Sequence, residues 1–298
     1  MSGSSPAAVP SLTPLEEVEV SSPPVARRQL SAQMKAKRLE AALTAEQAAA
    51  ELEWSTTKVS NIETGRSKHP AVSDIRLLLD VYKVTDTRER DTLLELTRES
   101  RKRGWWSRYD DVLTSDYTSL EAGVTGLRVF ELQYIPGLLQ LPEYAAAITH
   151  ATLIREPAEV ERVVEARMQR QEVLLHREDP VDLWAIIDER ALDLLAVSDP
   201  ELHRRQVEHL AATAEQPNSV TLQVLEPGVG LHPGMGGPFT ILKYLDPDMD
   251  AVFVEADEDG LYLDKRPQVD RYRRIFDLLV SKSMDPDAVA TYLRSRIS

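Results

Sequence analysis

The sequence predicts an all-α N-terminal domain of about five helices, followed by an α+β domain with a mainly antiparallel sheet and several helices. Apolar residues recur at helical spacing through residues 25 to 103. Beyond about Leu120, short segments in which apolar and polar residues alternate follow one another, as in half-buried strands. A chain of 298 residues with 42% apolar residues is long enough for two cores.

We predict four segments. Residues 1–24 are rich in Ser and Pro and contain no Lys or Arg, so we expect a disordered tail and not a signal peptide. Residues 25–84 form the helical domain and residues 85–118 a helical connector. Residues 119–298 form the α+β domain.

Composition restricts the environment and the partners of the chain. The absence of cysteine excludes disulfides and thiolate metal sites, and no apolar run is long enough for a membrane span, so we expect a cytoplasmic protein with no membrane partner. The net charge is −14, but residues 25–104 contain 16 Lys and Arg against 12 Asp and Glu. A mildly basic N-terminal domain beside an acidic C-terminal one is compatible with a nucleic-acid partner for the first.

The first predicted helix runs from Val25 through the segment RRQLSAQMKAKRLEAAL. We expect Leu39 and Leu43 to pack inward. Its basic side chains form a solvated face or reach a phosphate backbone; they are Arg27, Arg28, Lys35, Lys37 and Arg38.

Residues 44–66, TAEQAAAELEWSTTKVSNIETGR, have the pattern of two short helices joined by a tight turn. Thr44 and Gln47 are spaced as a capping box, and Ser55 can cap the second helix. In that helix Val59 and Ile62 face inward, while short polar side chains remain outside. Gly65 can adopt a positive φ and end the helix.

The order of residues in this segment resembles the helix-turn-helix motif of the phage-repressor family, the Cro and cI-like or XRE proteins. In that family the second helix lies in the major groove of double-stranded DNA. The resemblance implies that three side chains contact base edges, namely Thr56, Thr57 and Asn61. It implies phosphate contacts for Ser55, Lys58, Ser60, Arg66 and Lys68. The amide of Asn61 matches the donor and acceptor pair of adenine, and threonine suits thymine.

Three positions depart from the family pattern. Ala45 replaces the usual phosphate-contacting Gln, and Ala48 replaces a larger apolar residue. Glu53 stands where the turn usually has Gly, so either Glu53 adopts a positive φ or the turn has another shape. The alternative interpretation of the whole segment is a helical hairpin within an all-α core.

Two further helices are predicted after the motif. One starts at Ser73 or Asp74, after His69-Pro70, where the proline interrupts helical structure, and the next runs from about Thr87 to Arg103. The pair Trp105-Trp106 follows, as a packing wedge between two units or as a ligand platform.

The C-terminal domain is predicted from alternating strands and periodic helices. We expect helices beginning at Pro142, Pro157 and Pro200, another over PQVDRYRRIFDLLVSK, and a last one after Asp285-Pro286 that packs on its own sheet or forms dimer contacts. Strands are expected at GLRVFELQ, VDLWAIID, SVTLQVL, FTILKYL, AVFVEA and DGLYLD.

Three phrases in this domain, FELQYIPGLLQLPEYA, LHPGMGGPFTILKY and DKRPQVDRYRRIFDLL, resemble a C-terminal domain of unknown function. It is common in helix-turn-helix regulators of Streptomyces and other actinomycetes. Many members are paired with a small acidic protein encoded nearby, in an antitoxin-like arrangement, and the resemblance implies such a partner here.

No catalytic site, cofactor or metal is expected. The glycine-rich segment from His232 lacks the Lys and the helix of a phosphate-binding loop, which leaves a loop shaped for a partner or ligand, or a plain turn. Asp246, Asp248 and Asp250 have calcium-loop spacing, but Pro247 interrupts it. His203 and His209 are six positions apart, a spacing unsuited to a shared metal. Asp188 and Glu189 follow a strand with no nucleophile assigned to them.

The sequence therefore predicts a non-enzymatic, sequence-specific transcriptional regulator that binds operator DNA as a homodimer, located at the nucleoid when bound. Its C-terminal domain is expected to sense a small molecule or a partner protein. The alternative is an antitoxin-like module that sequesters a small partner protein, with DNA binding secondary. An enzyme with an attached DNA-binding domain is a third possibility, carried only by the unexplained C-terminal domain.

Overall fold

The computed structural model describes residues 22–67, 69–113, 117–152, 156–216, 219–256 and 260–298. Residues 1–21 of the expected tail therefore lie outside the described residues. Its predicted end at residue 24 is wrong, because Pro23 and Pro24 form the start of the first helix. Internal contacts divide the chain into two compact units, Met1–Lys102 and Arg103–Ser298.

The N-terminal unit is all-α over its described residues, as predicted. Its five helices are α1 (Pro23–Glu40), α2 (Ala45–Glu51), α3 (Thr56–Glu63), α4 (Val72–Val81) and α5 (Thr87–Glu99). They enclose one apolar core, to which every helix contributes; its fully buried members include Leu30, Met34, Ala48, Val59, Ile75, Leu78, Leu79 and Leu93. The second element of the predicted motif is thus packed through Val59, while its polar residues lie outside.

The caps that define the short helices are those that the sequence predicts. The Thr44 hydroxyl accepts a hydrogen bond from the Gln47 amide at 3.2 Å, and the Gln47 side-chain oxygen accepts one from the Thr44 amide at 2.8 Å. The Ser55 hydroxyl accepts from the Lys58 amide at 3.2 Å. Each cap satisfies a backbone donor at the start of a helix. The caps therefore stabilise the N-termini of these helices, which have only seven and eight residues.

In the turn after α2, Glu53 adopts a φ of +53°, which is the first of the two alternatives predicted for this position. The Trp54 amide donates to the Ala49 carbonyl and the Glu53 amide to the Ala50 carbonyl, the paired bonds of a Schellman motif. The same pair of bonds and a positive φ occur at Ala42 and Lys83, which follow α1 and α4. Three helices therefore end in the left-handed conformation without glycine, and Gly65 after α3 does so with it, at +72°.

Two details differ from the sequence prediction. Leu39 does not pack inward, since 59% of it is exposed; it follows Arg38, whose side chain turns toward the core instead. Helix α5 packs on α1 and α4 and contributes Leu93, Leu94 and Leu96 to the same core. The N-terminal unit therefore extends past residue 84, into the segment predicted as a connector. The apolar side of α5 is buried by packing on α1 and α4, as is usual for an amphipathic helix.

Over its described residues, the C-terminal unit contains one mixed six-stranded sheet with the order β3-β2-β1-β4-β5-β6. The strands are β1 (Gly126–Glu131), β2 (Asp182–Asp188), β3 (Val220–Leu225), β4 (Phe239–Lys243), β5 (Ala251–Val254) and β6 (Leu261–Leu263). The pairings β4 with β1, β5 with β4 and β6 with β5 are antiparallel, while β1, β2 and β3 run parallel. The predicted α+β class is confirmed, and helical crossovers explain the parallel half.

Seven helices accompany the sheet in the described residues: α6 (Tyr117–Glu121), α7 (Pro142–Ala151), α8 (Pro157–Leu175), α9 (Glu189–Ser198), α10 (Pro200–Glu215), α11 (Arg266–Lys282) and α12 (Pro286–Ser295). Helix α9 was not predicted, because it begins directly at the end of β2. One sheet face packs against α11 through Phe130, Ile186, Phe239, Val252, Phe276 and Leu279. The last helix, α12, packs on α10 and β3 of its own domain. In the part of the chain that the structure describes, no helix combines the length and apolar character that crossing a membrane requires.

Candidate DNA-binding interface

Helix α3 presents one polar face away from the core of the N-terminal unit. Val59 and Ile62 are buried on its inner side. On its outer side Thr56 and Thr57 are exposed, and Asn61 is half-buried. All three predicted base-contacting residues thus remain accessible in the N-terminal unit, and their hydroxyl and amide groups are of the kind that base edges bind.

A buried ion pair fixes the C-terminal end of α3. The Arg38 guanidinium donates to both oxygens of Glu63, at 2.9 and 3.0 Å, and also to the Leu43 carbonyl at 2.7 Å. The Tyr82 hydroxyl donates to Glu63 at 2.7 Å. Burial, and then the hydrogen bond to this carboxylate, raise the pKa of Tyr82, so it stays a neutral donor. These bonds tie α3 to α1 and α4 and thereby set its angle.

The sequence does not predict this network; it predicts a solvated or phosphate-contacting face for Arg38. A signal was present, because Glu63 follows Val59 by four positions and therefore lies on the same inner side of the helix. A charged residue on an apolar face requires a buried partner. The partner could not be identified from the sequence, since Arg38 is 25 residues away.

A shallow groove of about 350 Å³ is lined by residues of α3, of the segment that follows it and of the start of α4. Thr57 and Asn61 of α3 line it, and so do Ser67 and His69 of the segment before α4. His69, which is exposed, was not among the predicted contacts. A groove bordered by hydroxyl, amide and imidazole groups offers both donors and acceptors to a ligand.

The predicted phosphate contacts differ in their surroundings. Ser55 is exposed, and its hydroxyl already accepts the capping bond. Ser60 is half-buried, and Arg66 is exposed just beyond α3. Lys68 lies outside the described residues. Of the two described cations predicted to contact phosphate, Arg66 and Lys58, Arg66 is the exposed one and is therefore better placed to bind a phosphate.

Lys58 is held by two neighbours of its own domain. Its ammonium lies 3.0 Å from the Asp74 carboxylate and 3.6 Å from the centre of the Trp54 ring. Asp74 itself borders the groove on α3. A phosphate contact by Lys58 therefore requires its ion pair with Asp74 to open, which reduces the net gain of that contact.

Replacing Asp74 by asparagine is expected to strengthen binding to all duplex DNA by roughly 3- to 10-fold, because it frees Lys58 and removes a negative charge beside the groove. The slope of log affinity against log salt should steepen by about one unit. Anisotropy titrations at several salt concentrations measure both quantities. Asp80→Asn is the matched control, since Asp80 lies on α4 like Asp74 but pairs with Arg90 of α5 at 2.7 Å and does not line the groove. Equal affinity and slope in the two variants would count against this role of Asp74.

The C-terminal carboxylates considered for chemistry have structural partners, whereas His203 Nε2 and His232 Nδ1 are buried without a hydrogen-bond partner among the described residues. Asp188 caps α9 by accepting from the Arg190 amide at 3.0 Å. Asp246 accepts from the Asp248 amide at 3.0 Å. Asp250 accepts from the Tyr244 amide at 2.9 Å and pairs with Arg273. Over the described ranges, no group of three or more His, Asp or Glu residues is arranged to hold a metal ion.

The glycine-rich segment after β3 forms a short 3-10 turn at Pro233–Gly236 and leads into β4, not into a helix. Gly230 and Gly237 adopt positive φ values of +66° and +128°. His232 is buried against the Phe130 ring, and burial lowers its pKa. The segment therefore lacks the helix N-terminus that phosphate-binding loops use.

Comparison with protein families identifies both units. Residues 29–93 match the model of a helix-turn-helix domain, which spans most of α1 through the first half of α5. Residues 114–295 match the model of a domain of unknown function, DUF5753. No curated protein and no solved structure matched the chain.

The first match agrees with the geometry of α2 and α3 and shows that the N-terminal unit is a helix-turn-helix DNA-binding domain. The second covers more than half of the chain and includes all six strands. The chain belongs to the DUF5753 family and carries an N-terminal helix-turn-helix domain.

Proposed function

We propose that the protein is a sequence-specific transcriptional regulator that places α3 in the major groove of operator DNA. The observation that carries this proposal is the outer face of α3, where Thr56, Thr57 and Asn61 remain accessible while Val59 and Ile62 anchor the helix. Direct base recognition needs such side chains on a helix of fixed orientation.

The fixed orientation comes from the Glu63 network. An interface held in one geometry loses little conformational entropy on binding, so its polar groups discriminate between bases more sharply. In this arrangement Asn61 recognises adenine through its amide, and Thr57 contacts a neighbouring base. Arg66 and the backbone near Ser55 contact the flanking phosphates.

We propose that the protein binds DNA as a homodimer. Helix α3 has eight residues, so at a rise of about 1.5 Å per residue it spans roughly 12 Å, a length that covers only a half-site. Two copies on half-sites one helical turn apart supply the specificity that a single short helix lacks.

The charge of the C-terminal unit supports a separate task for it. Residues 105–298 contain 19 Lys and Arg against 34 Asp and Glu, which opposes contact with the phosphate backbone. We propose that this unit receives the signal, a small molecule or a partner protein, that controls DNA binding.

Replacing Arg66 by glutamine is expected to weaken binding to a duplex from the protein's own promoter and to a scrambled duplex by a similar factor. The loss of one phosphate contact should reduce the salt slope by about one unit. Anisotropy titration of the full chain provides the measurement, with Arg88→Gln, an exposed arginine of α5, as the control. If the wild type shifts neither duplex at low salt, the proposed function is wrong. If Arg66→Gln leaves both affinities intact, only the assignment of Arg66 is wrong.

A further inference from the structure

The short segment between α3 and α4 carries a histidine that the fold of the N-terminal unit does not use. His69 lines the groove together with Thr57 and Asn61 of α3. It is exposed, and its imidazole has no hydrogen-bond or ion-pair partner among the described residues. The ring is therefore available to a ligand of the groove, as a donor, an acceptor or a cation.

Hydrogen bonds at both ends hold this segment in place. At its start the Ser67 amide donates to the Asn61 carbonyl at 3.0 Å. At its end Pro70 is buried, and its carbonyl accepts a hydrogen bond from the Arg101 guanidinium at 3.1 Å. His69 directly precedes this proline, which restricts its backbone to extended conformations. The segment therefore presents His69 beside α3 in one arrangement, and little conformational freedom is lost when a ligand binds.

The charges around the groove favour an anion at this place. Lys58 and Asp74 line the groove and form an ion pair with each other at 3.0 Å, so their charges largely cancel. Apart from His69, they are the titratable side chains that line the groove in the described residues. Arg66, exposed at the start of the segment, adds a positive charge. A protonated His69 would therefore make this surface a binding site for a negatively charged group.

Histidine differs from the other cations of this surface, because its charge changes between pH 5 and 8. A phosphate favours the charged imidazolium over the neutral ring, since it accepts a charge-assisted hydrogen bond from the charged form. A histidine that contacts a phosphate therefore takes up a proton on binding. The affinity that this contact contributes is fully present at low pH and is lost as the pH rises.

We propose that His69 binds a phosphate of the operator as an imidazolium, so that the protein takes up a proton when it binds DNA. Arg101 is a positioning residue, since its hydrogen bond to the Pro70 carbonyl holds the segment that carries His69. The inference rests on the proposed function and adds a dependence of DNA binding on pH. The two can fail separately, because operator binding that is equally strong at low and high pH contradicts only the second.

The test is anisotropy titration of the full chain at pH 6 and at pH 8, with a duplex from its own promoter and with a scrambled duplex. We expect both affinities to be about 3- to 10-fold higher at pH 6, the size of effect that a single charge contact near a surface produces. The slope of log affinity against log salt should be about one unit steeper at pH 6, because one more phosphate is neutralised.

Four variants separate the charge of His69 from other effects. His69→Gln keeps a hydrogen-bonding side chain that cannot become charged, and should bind equally well at both pH values. Arg101→Gln should reduce the difference between the two pH values to less than about 2-fold, which the loss of a merely structural contact would not do. Arg66→Gln should weaken binding by the same factor at both, since arginine stays charged. His150→Gln, at an exposed histidine of α7, should keep the wild-type difference.

Wild-type affinity that does not fall between pH 6 and pH 8, or a fall that persists in His69→Gln, would overturn the proposal. So would a loss in His69→Gln that is confined to the promoter duplex, because it would assign a base contact and not a phosphate contact. A full pH difference in Arg101→Gln would overturn the positioning role of Arg101. Absence of binding to either duplex would overturn the proposed function and this inference with it. His69 is exposed, so His69→Gln is expected to fold normally.

Discussion

Replacing Glu63 by alanine is expected to lower the free energy of unfolding of the N-terminal unit by about 3 to 5 kcal/mol. The substitution leaves the Arg38 guanidinium, whose side chain is only 11% exposed, without its carboxylate and removes the acceptor of the Tyr82 hydroxyl. Removing one partner of a buried pair costs more than the pair contributes, because the remaining charge lacks both water and a counter-ion. A loss of this size is a large fraction of the stability of a small domain.

Hydrogen exchange resolved by peptide measures this effect in α3 and α4 without interference from the C-terminal unit. Glu46→Ala is the matched control, since Glu46 is an exposed glutamate at the start of α2 and should change stability by no more than about 0.5 kcal/mol. Tyr82→Phe should cost about 1 to 1.5 kcal/mol, the value of one hydrogen bond. A loss below about 1 kcal/mol in Glu63→Ala would contradict the role assigned to the network.

Replacing Thr57 by glutamate is expected to reduce affinity for operator DNA by at least about 100-fold. Thr57 is exposed and lines the groove on α3, so the new carboxylate would face the phosphates and the base-edge acceptors. Like charges brought together at an interface cost several kcal/mol, which corresponds to a loss of this size. The stability of the domain should change little, because the side chain is on the surface.

Thr85→Glu is the matched control for this substitution. Thr85 is also an exposed threonine of the N-terminal unit, but it lies in the turn after α4 and not on α3. Anisotropy titration should therefore give near-wild-type affinity for Thr85→Glu. A similar loss in both variants would show that net charge, and not the outer face of α3, determines binding.

The helices of the N-terminal unit were predictable because local rules define them. Thr44, Gln47 and Ser55 form the expected caps, and Gly65 ends α3 with a positive φ. These signals depend on residues at most four positions apart, which a single sequence displays directly. The same holds for the proline-initiated helices of the C-terminal unit, such as α7 and α8.

Contacts between distant residues were not predictable. Glu63 meets Tyr82 across 19 residues and Arg38 across 25, and nothing in the spacing selects these partners. The ion pair of Lys58 with Asp74, which occupies a predicted phosphate contact, was missed for the same reason.

The parallel half of the sheet was also missed. β2 is a nearly continuous apolar run, as in strands that are buried on both faces. Such a run does not by itself give the direction of pairing, which depends on where the crossover helices lie. Helix α9 joins β2 without a break, because Asp188 is both the last residue of the strand and the cap of the helix. The sequence therefore contains no turn residues that separate β2 from α9.

Base recognition by the outer face of α3 can be tested by selecting duplexes from a random pool with the full chain and repeating the selection with Asn61→Ala. We expect the wild type to enrich one short motif. If the protein binds as a dimer, the motif should occur as two half-sites about one helical turn apart. Asn61→Ala should enrich the same motif with one position relaxed, at a cost of roughly 1 to 3 kcal/mol there. No enriched motif with the wild type, or an identical motif with both proteins, would contradict base recognition by the outer face of α3.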